Sequence, residues 1–128
     1  MPLKLTLGKG EKLIVNGAVV KNDGDNAMLV FENQAHILRQ KDILTEQDAR
    51  TPASRVYLAL QCAYLFPENR GEHIASFNQL LKDYIGAAPS AEPIANEILK
   101  RLEKDQLYAG LKACQKLIEH ETGILQHV

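Results

Sequence analysis

The sequence predicts an α+β protein, with a small N-terminal antiparallel β module over residues 1–44 and a C-terminal helical bundle over residues 45–128. Three observations indicate this fold class. In the first third of the chain, apolar and polar residues alternate with the two-residue period of a half-buried strand. The same region holds the pair Asn16-Gly17, and Asn-Gly is typical of a two-residue hairpin turn. After Thr45 the apolar residues recur every three or four positions, as they do on one face of a helix.

Five short strands are expected in the β module, because its apolar segments are separated by clusters of turn-forming residues. A sheet of about 44 residues is marginal by itself, so we expect it to lean on the helices or on a second subunit. The predicted strands cover residues 3–7, 13–15, 18–20, 28–31 and 36–39.

The helical module is predicted to start with a long buried helix. Thr45 and the acidic residues after it indicate a first helix start, and Thr51-Pro52 places a capping residue before a proline at the first helical position. The helix expected over residues 52–66 is apolar on nearly every side. We therefore expect it to be buried in the core or in a subunit interface, with Leu60 and Tyr64 enclosed.

Three further helices follow from apolar residues at helical spacing. One carries apolar residues over 74–84, with Gly86 and Pro89 as stop signals, and a second opens at residues 90–93. The last is striped by apolar residues from Leu107 to Ile118 and is expected to end at Gly123. The spacing leaves open whether the last two are one continuous helix.

Length and charge restrict the class of protein. The chain has 128 residues, enough for one domain or two small modules, and 15 basic against 16 acidic side chains exclude a bulk polycation. A local basic face stays possible because net charge says nothing about how charges are distributed.

The longest apolar run, residues 56–66, is shorter than the roughly 20 residues of a membrane span, and the first residues lack a secretory pattern. We expect a cytoplasmic protein without membrane contact.

Residues suited to catalysis are sparse, so we expect no enzyme, no metal and no cofactor. The four histidines are scattered, the two cysteines form no CxxC pair, and residues 8–12 lack phosphate-loop spacing. Both cysteines are predicted to be reduced core residues, and the serines to lie on helix surfaces or at caps. The residues are His36, His73, His120 and His127, Cys62 and Cys114, and Ser54, Ser76 and Ser90.

Binding is the better expectation, and the basic residues of the β module are its candidates. Lys9 lies in a turn, while Arg39 and Lys41 bracket the end of the last strand, where they could converge. Arginine can form paired hydrogen bonds with phosphate or base edges of single-stranded RNA. Base stacking is not expected, because Phe31 is the module's only aromatic and should be core. The alternative is a solvated sheet face with lysines that block aggregation. The predicted RNA-binding residues are Arg39, Lys41, Lys9, Lys12 and Lys4.

The last helix offers a second candidate surface. Tyr108, Lys112 and Gln115 recur beside the apolar stripe, which is the layout of a docking helix with Tyr108 as its anchor. The alternative is a solvated helix without a partner.

Three segments of the chain resemble the FlbT family of flagellar biosynthesis regulators. They are MPLKLTLGKGEKLIVNGAVV, ENQAHILRQKDILTEQDARTPASRVYLALQCAYL and LYAGLKACQKLIEHE. The resemblance implies a bacterial protein that associates with the 5′ untranslated leader of flagellin mRNA and lowers its translation or lifetime; in some relatives the effect is activation. It also implies a second protein, FlaF, as a partner or antagonist. The hypothesis is thus a post-transcriptional repressor that forms a homo-oligomer. The alternative is a protein-interaction module that docks FlaF, flagellin or a translation factor and affects mRNA indirectly.

The β module is also similar to CsrA-type RNA-binding regulators. The similarity involves Leu5-Thr6, Gly10-Glu11, Leu13, Val15, Leu38-Arg39 and Asp42-Ile43. It implies that Arg39 matches the RNA-contacting arginine of the last strand. The basic residues of that family's first strand fall on Leu7 and Gly8 here, so Lys4 and Lys9 would have to replace them.

Overall fold

The computed structural model describes residues 2–126, and the chain divides into two compact units, Met1–Ile43 and Leu44–Val128. Antiparallel strands form the first unit and four helices the second, so the predicted fold class is confirmed. His127, one of the histidines considered as a ligand, lies outside the described residues.

The β unit contains five strands in two small antiparallel sheets. In one sheet β1 pairs with β4, and in the other β2 lies between β3 and β5. Buried Leu5, Leu7, Leu13 and Ile37 form the core, and Phe31 packs against them. The strands are β1 (Leu3–Leu7), β2 (Lys12–Val15), β3 (Ala18–Lys21), β4 (Ala27–Phe31) and β5 (Ile37–Arg39).

The Asn16-Gly17 turn sets the register of the β2–β3 hairpin. Both residues have positive φ, 50° for Asn16 and 87° for Gly17, as a type I′ turn requires. Because the loop has two residues, Val15 faces Ala18 and Lys12 faces Lys21 across the ladder. The predicted hairpin is confirmed, and it brings two lysines directly opposite each other.

The helical unit consists of four α-helices linked by short turns. Asp105, with φ of 58°, lies in the turn that separates the last two, so they are not continuous. None of the helices within residues 2–126 is long and apolar enough to cross a membrane. The helices are α1 (Pro52–Leu65), α2 (Arg70–Ala87), α3 (Glu92–Glu103) and α4 (Leu107–Gln126).

Several predicted helix ends are wrong. Thr45 starts a single turn rather than a helix: its Oγ1 accepts from the Asp48 N–H (3.2 Å), and α1 begins only at Pro52. Gly86 and Gly123 lie inside α2 and α4 instead of ending them. A glycine in helical conformation weakens a helix by about 1 kcal/mol without breaking its hydrogen bonds, so flanking residues can carry the helix through it.

Helix α1 begins with a reciprocal cap and is buried on nearly every side. The Ser54 N–H donates to Thr51 Oγ1 (3.3 Å), and the Thr51 N–H donates to Ser54 Oγ (2.9 Å). Ser54 is thus part of the cap, as predicted. Leu60 is fully enclosed and Tyr64 is 6% exposed, which confirms the expected burial of this helix.

The polar residue in the apolar run of α1 has a structural role. Gln61 is buried, its Oε1 accepts from the Leu44 N–H (2.8 Å), and its Nε2 donates to the Leu44 carbonyl oxygen (2.9 Å). One amide side chain therefore satisfies both backbone groups of Leu44, as a neighbouring strand would. This tethers the first residue of the helical unit to its central helix.

Helix α4 is joined to the rest of the helical unit by His120. The Tyr84 hydroxyl lies 2.8 Å from His120 Nδ1, and Ser90 Oγ lies 2.8 Å from Nε2. Burial, and then the negative charge of Glu121, raise the pKa of Tyr84, so its phenol stays protonated. Each of the two hydroxyls can donate to, or accept from, the ring nitrogen that it contacts. Ser90 does not cap α3, whose N-cap is Ala91.

Replacing Gln61 by leucine should destabilise the protein, because the N–H and carbonyl of Leu44 lose their partners. We expect Gln61→Leu to lower the free energy of unfolding by about 1–3 kcal/mol in chemical denaturation. Gln79→Leu is the matched control: Gln79 is exposed on α2, so its loss should change stability by less than about 0.5 kcal/mol. Equal stability of the two variants would contradict the role of the Gln61 amide.

Candidate nucleic-acid interface

The loop between β1 and β2 is fixed by its own backbone amides. The Gly8 N–H donates to Glu11 Oε1 (2.8 Å), and the Glu11 N–H donates to the Gly8 carbonyl (3.0 Å). The Lys9 N–H donates to Asn26 Oδ1 (3.1 Å), and the Gly10 N–H to the Asn22 carbonyl (2.6 Å). Because all four amides are engaged, this loop has no backbone cradle for phosphate. An anion here would be held by side chains.

A side-chain hydrogen bond links the end of this loop to the segment that carries Lys41, another of the predicted lysines. The Lys12 N–H donates to Gln40 Oε1 (2.7 Å), which joins the start of β2 to the short turn after β5. As a result Lys9 and Lys41 line one open cavity of about 480 Å³. Glu11 is the cavity's carboxylate, and it already accepts the Gly8 amide.

Lys12 and Lys21 extend the positive charge along the β2–β3 hairpin. The register places them directly opposite each other, and both are exposed. Like charges directly opposite each other in a sheet are destabilising. Lys21 was not among the predicted site residues, although a two-residue loop at Asn16-Gly17 already implies its position opposite Lys12.

Arg39 and Lys4 lie outside the cavity. Arg39 is the last residue of β5, opposite Leu13, and its exposed side chain precedes Gln40 and Lys41. Lys4 is on β1, opposite Val30, in the other sheet. Lys9, Gln40 and Lys41 therefore line the same cavity. Arg39 precedes Gln40 in the chain, and the Lys12 amide donates to the Gln40 side chain. Lys4 lies apart from them, in the other sheet.

The candidate docking residues of α4 separate into two environments. Tyr108 is 43% exposed, and with Lys112 it lines a groove against α3. Gln115 is half-buried, and its Nε2 donates to the Tyr57 hydroxyl of α1 (3.4 Å). Gln115 thus connects α4 to the core of the helical unit.

The histidines and cysteines that were considered for catalysis or metal binding lie in the following surroundings. Over residues 2–126, no three His, Cys, Asp or Glu side chains gather where they could hold a metal ion. Cys62 and Cys114 are free thiols, with Cys114 buried as predicted and Cys62 only partly so. Burial raises the pKa of Cys114 to about 12, and burial together with Glu46 raises that of Cys62. Both ring nitrogens of His120 lie within hydrogen-bond distance of a hydroxyl, Nδ1 near that of Tyr84 and Nε2 near that of Ser90.

The chain thus combines a small antiparallel β unit, which carries lysines at an open cavity, with a unit of four helices. Comparison then identifies the family. The family model described as flagellar protein FlbT matches residues 3–125, and the chain belongs to this family.

The curated relatives cover the chain nearly end to end. It is 37% identical to a probable flagellum biosynthesis repressor protein FlbT of a Caulobacter species, over 100% of this chain and 99% of that protein. A probable repressor of the same name from Bradyrhizobium diazoefficiens is 39% identical, over 94% and 83%. The flagellum biosynthesis repressor protein FlbT of Caulobacter vibrioides is 35% identical, over 100% and 92%. No solved structure matches the chain.

The two thiols should differ in reactivity, because the thiolate is the form that attacks disulfide reagents. At pH 8 we expect Ellman's reagent to modify Cys62 slowly in the folded protein and Cys114 only after denaturant is added. A Cys62→Ser variant isolates the Cys114 signal. Modification of that variant at the rate of a free thiol under native conditions would contradict the enclosed position of Cys114.

Proposed function

We propose that this protein is a cytoplasmic post-transcriptional regulator of flagellin synthesis. In this proposal the β unit binds the 5′ untranslated leader of flagellin mRNA and represses its translation or promotes its decay. Family membership and the repressor names of the relatives support the regulatory part. The observation that carries the RNA part is the convergence of Lys9 and Lys41 on one cavity.

Charge and geometry suit this surface to a phosphate backbone. Lysine ammonium groups act as point charges that neutralise phosphates, and the resulting counterion release favours binding at low salt. A bound strand would also relieve the repulsion between Lys12 and Lys21, which face each other across the ladder. Arg39 would add planar, paired hydrogen bonds to a phosphate or a base edge.

The second candidate function is docking of a protein such as FlaF, flagellin or a translation factor, with an indirect effect on mRNA. It is favoured by Tyr108, a large aromatic residue that is 43% exposed.

A homo-oligomer also stays a prediction. The four residues of β3 are exposed, and β3 is an edge of its sheet.

Removing the two cavity lysines should weaken leader binding and make it less sensitive to salt. Single-stranded binding loses about 0.7 from the log–log salt slope for each phosphate contact. The double variant Lys9→Gln, Lys41→Gln should therefore lower the slope by about 1.4 in filter binding to a flagellin leader fragment. Lys82→Gln, an exposed lysine of α2, is the control. Identical slopes for the double variant and the control would refute the proposed β-unit site.

Arg39 should contribute through its shape as well as its charge. Arg39→Ala is expected to weaken leader binding by about 1–3 kcal/mol, with thermal unfolding unchanged because the side chain is exposed. Arg39→Lys should recover only part of the loss, since a point charge lacks the planar fork. If Arg39→Lys binds the leader as tightly as the unchanged protein, Arg39 contributes only its charge. If Arg39→Ala binds with unchanged affinity, Arg39 is not part of the site.

A further inference from the structure

A groove with both polar and apolar lining runs between α3 and α4, in the helical unit. It has a volume of about 450 Å³, and alanines 109 and 113 contribute to its lining. A cavity of this size suits a small ligand.

The groove presents an aromatic ring supported from within the helical unit. The ring of Tyr108 lies 5.8 Å from that of Tyr64, centroid to centroid, at a tilt of 46°. Tyr64 is 6% exposed and belongs to the core, whereas Tyr108 is 43% exposed. The ring of Tyr108 is therefore held in place and still accessible to a flat ligand.

Three cations line the same groove as this ring. Lys112 and Lys116 follow Tyr108 at intervals of four residues, so the three side chains form one row along α4. Arg101 lines the groove from α3, and its guanidinium is oriented by Glu97 Oε1 (3.0 Å) and Gln106 Oε1 (3.3 Å). Glu97, the groove's carboxylate, is already paired with Arg101.

We propose that this groove binds a nucleotide unit, with its base stacked on Tyr108 and its phosphate held by Lys116, Lys112 and Arg101. An aromatic ring flanked by cations is the combination with which proteins hold single-stranded nucleic acid without reading its sequence. The same chemistry is offered by one residue of an RNA strand and by a free nucleotide. The inference goes beyond the β-unit site proposed above, because it assigns base stacking to the helical unit.

The stacking part is tested with a fluorescently labelled short oligoadenylate and the full-length protein. Stacking on an aromatic side chain contributes about 1–3 kcal/mol per base, which is about 5- to 150-fold in affinity. Tyr108→Ala should lose this factor in fluorescence anisotropy, whereas Tyr108→Phe keeps the ring and should remain within about twofold. Equal affinities of the alanine and phenylalanine variants would overturn stacking on Tyr108.

The phosphate part is tested with Lys116→Gln, which changes an exposed residue and should leave folding intact. It should lower the salt slope of oligoadenylate binding by about 0.7, while Lys82→Gln leaves the slope unchanged. Competition by adenosine monophosphate at millimolar concentration would identify a free nucleotide as the ligand source, and oligoadenylate binding without such competition would identify an RNA strand.

The two RNA proposals fail in different ways. The groove measurements are repeated in the Lys9→Gln, Lys41→Gln background, where groove binding should persist. If Tyr108→Ala and Lys116→Gln both leave oligoadenylate binding unchanged, the nucleotide groove is refuted whatever the β unit does. Loss of flagellin binding in those same variants would then assign the groove to a protein partner.

Discussion

The helical unit depends on the burial of α1 on nearly every side. Val56, Leu60 and Ala63 are fully enclosed, and both α2 and α4 pack against this helix. A helix in such a position can hold a polar side chain only if all its hydrogen-bonding groups find partners. Gln61 meets that condition through the backbone of Leu44. The same side chain that interrupts the apolar run therefore positions the segment that leads into the helix.

Local sequence signals were sufficient for most of the fold and for part of the site. The Asn16-Gly17 turn determines the hairpin register, and with it the pairing of Lys12 with Lys21. The strand ends predict that Lys41 could converge with Lys9, but they do not predict the contact beside them. That contact is a hydrogen bond between the Lys12 amide and the side chain of Gln40, two positions 28 residues apart. No period or motif in the sequence encodes such a contact.

The wrong helix ends share a physical cause, which is that capping residues and glycines act locally while helices are held by packing. Thr45 has the chemistry of an N-cap, but the turn it begins is not continued, and Thr51 caps α1 instead. Gly123 could have ended α4, yet that helix extends to Gln126. The sequence also assigned Gln115 to the accessible face of α4, whereas its amide reaches Tyr57. Helical spacing predicts the direction in which a side chain leaves the helix axis. It does not predict how much of that face a neighbouring helix covers.

With 15 basic and 16 acidic side chains, the protein cannot attract an anionic polymer by its net charge, so the affinity proposed above would have to come from local arrangement. Both basic surfaces have that character. In the β unit the hairpin register and the Gln40 hydrogen bond concentrate lysines, and in the helical unit the four-residue spacing along α4 does so. None of these lysines contributes to a core, and the Lys12–Lys21 pair opposes the folding of its own sheet. Side chains that add little to stability, or reduce it, can serve the binding proposed above, and on an edge strand such as β3 a lysine also prevents pairing with another chain.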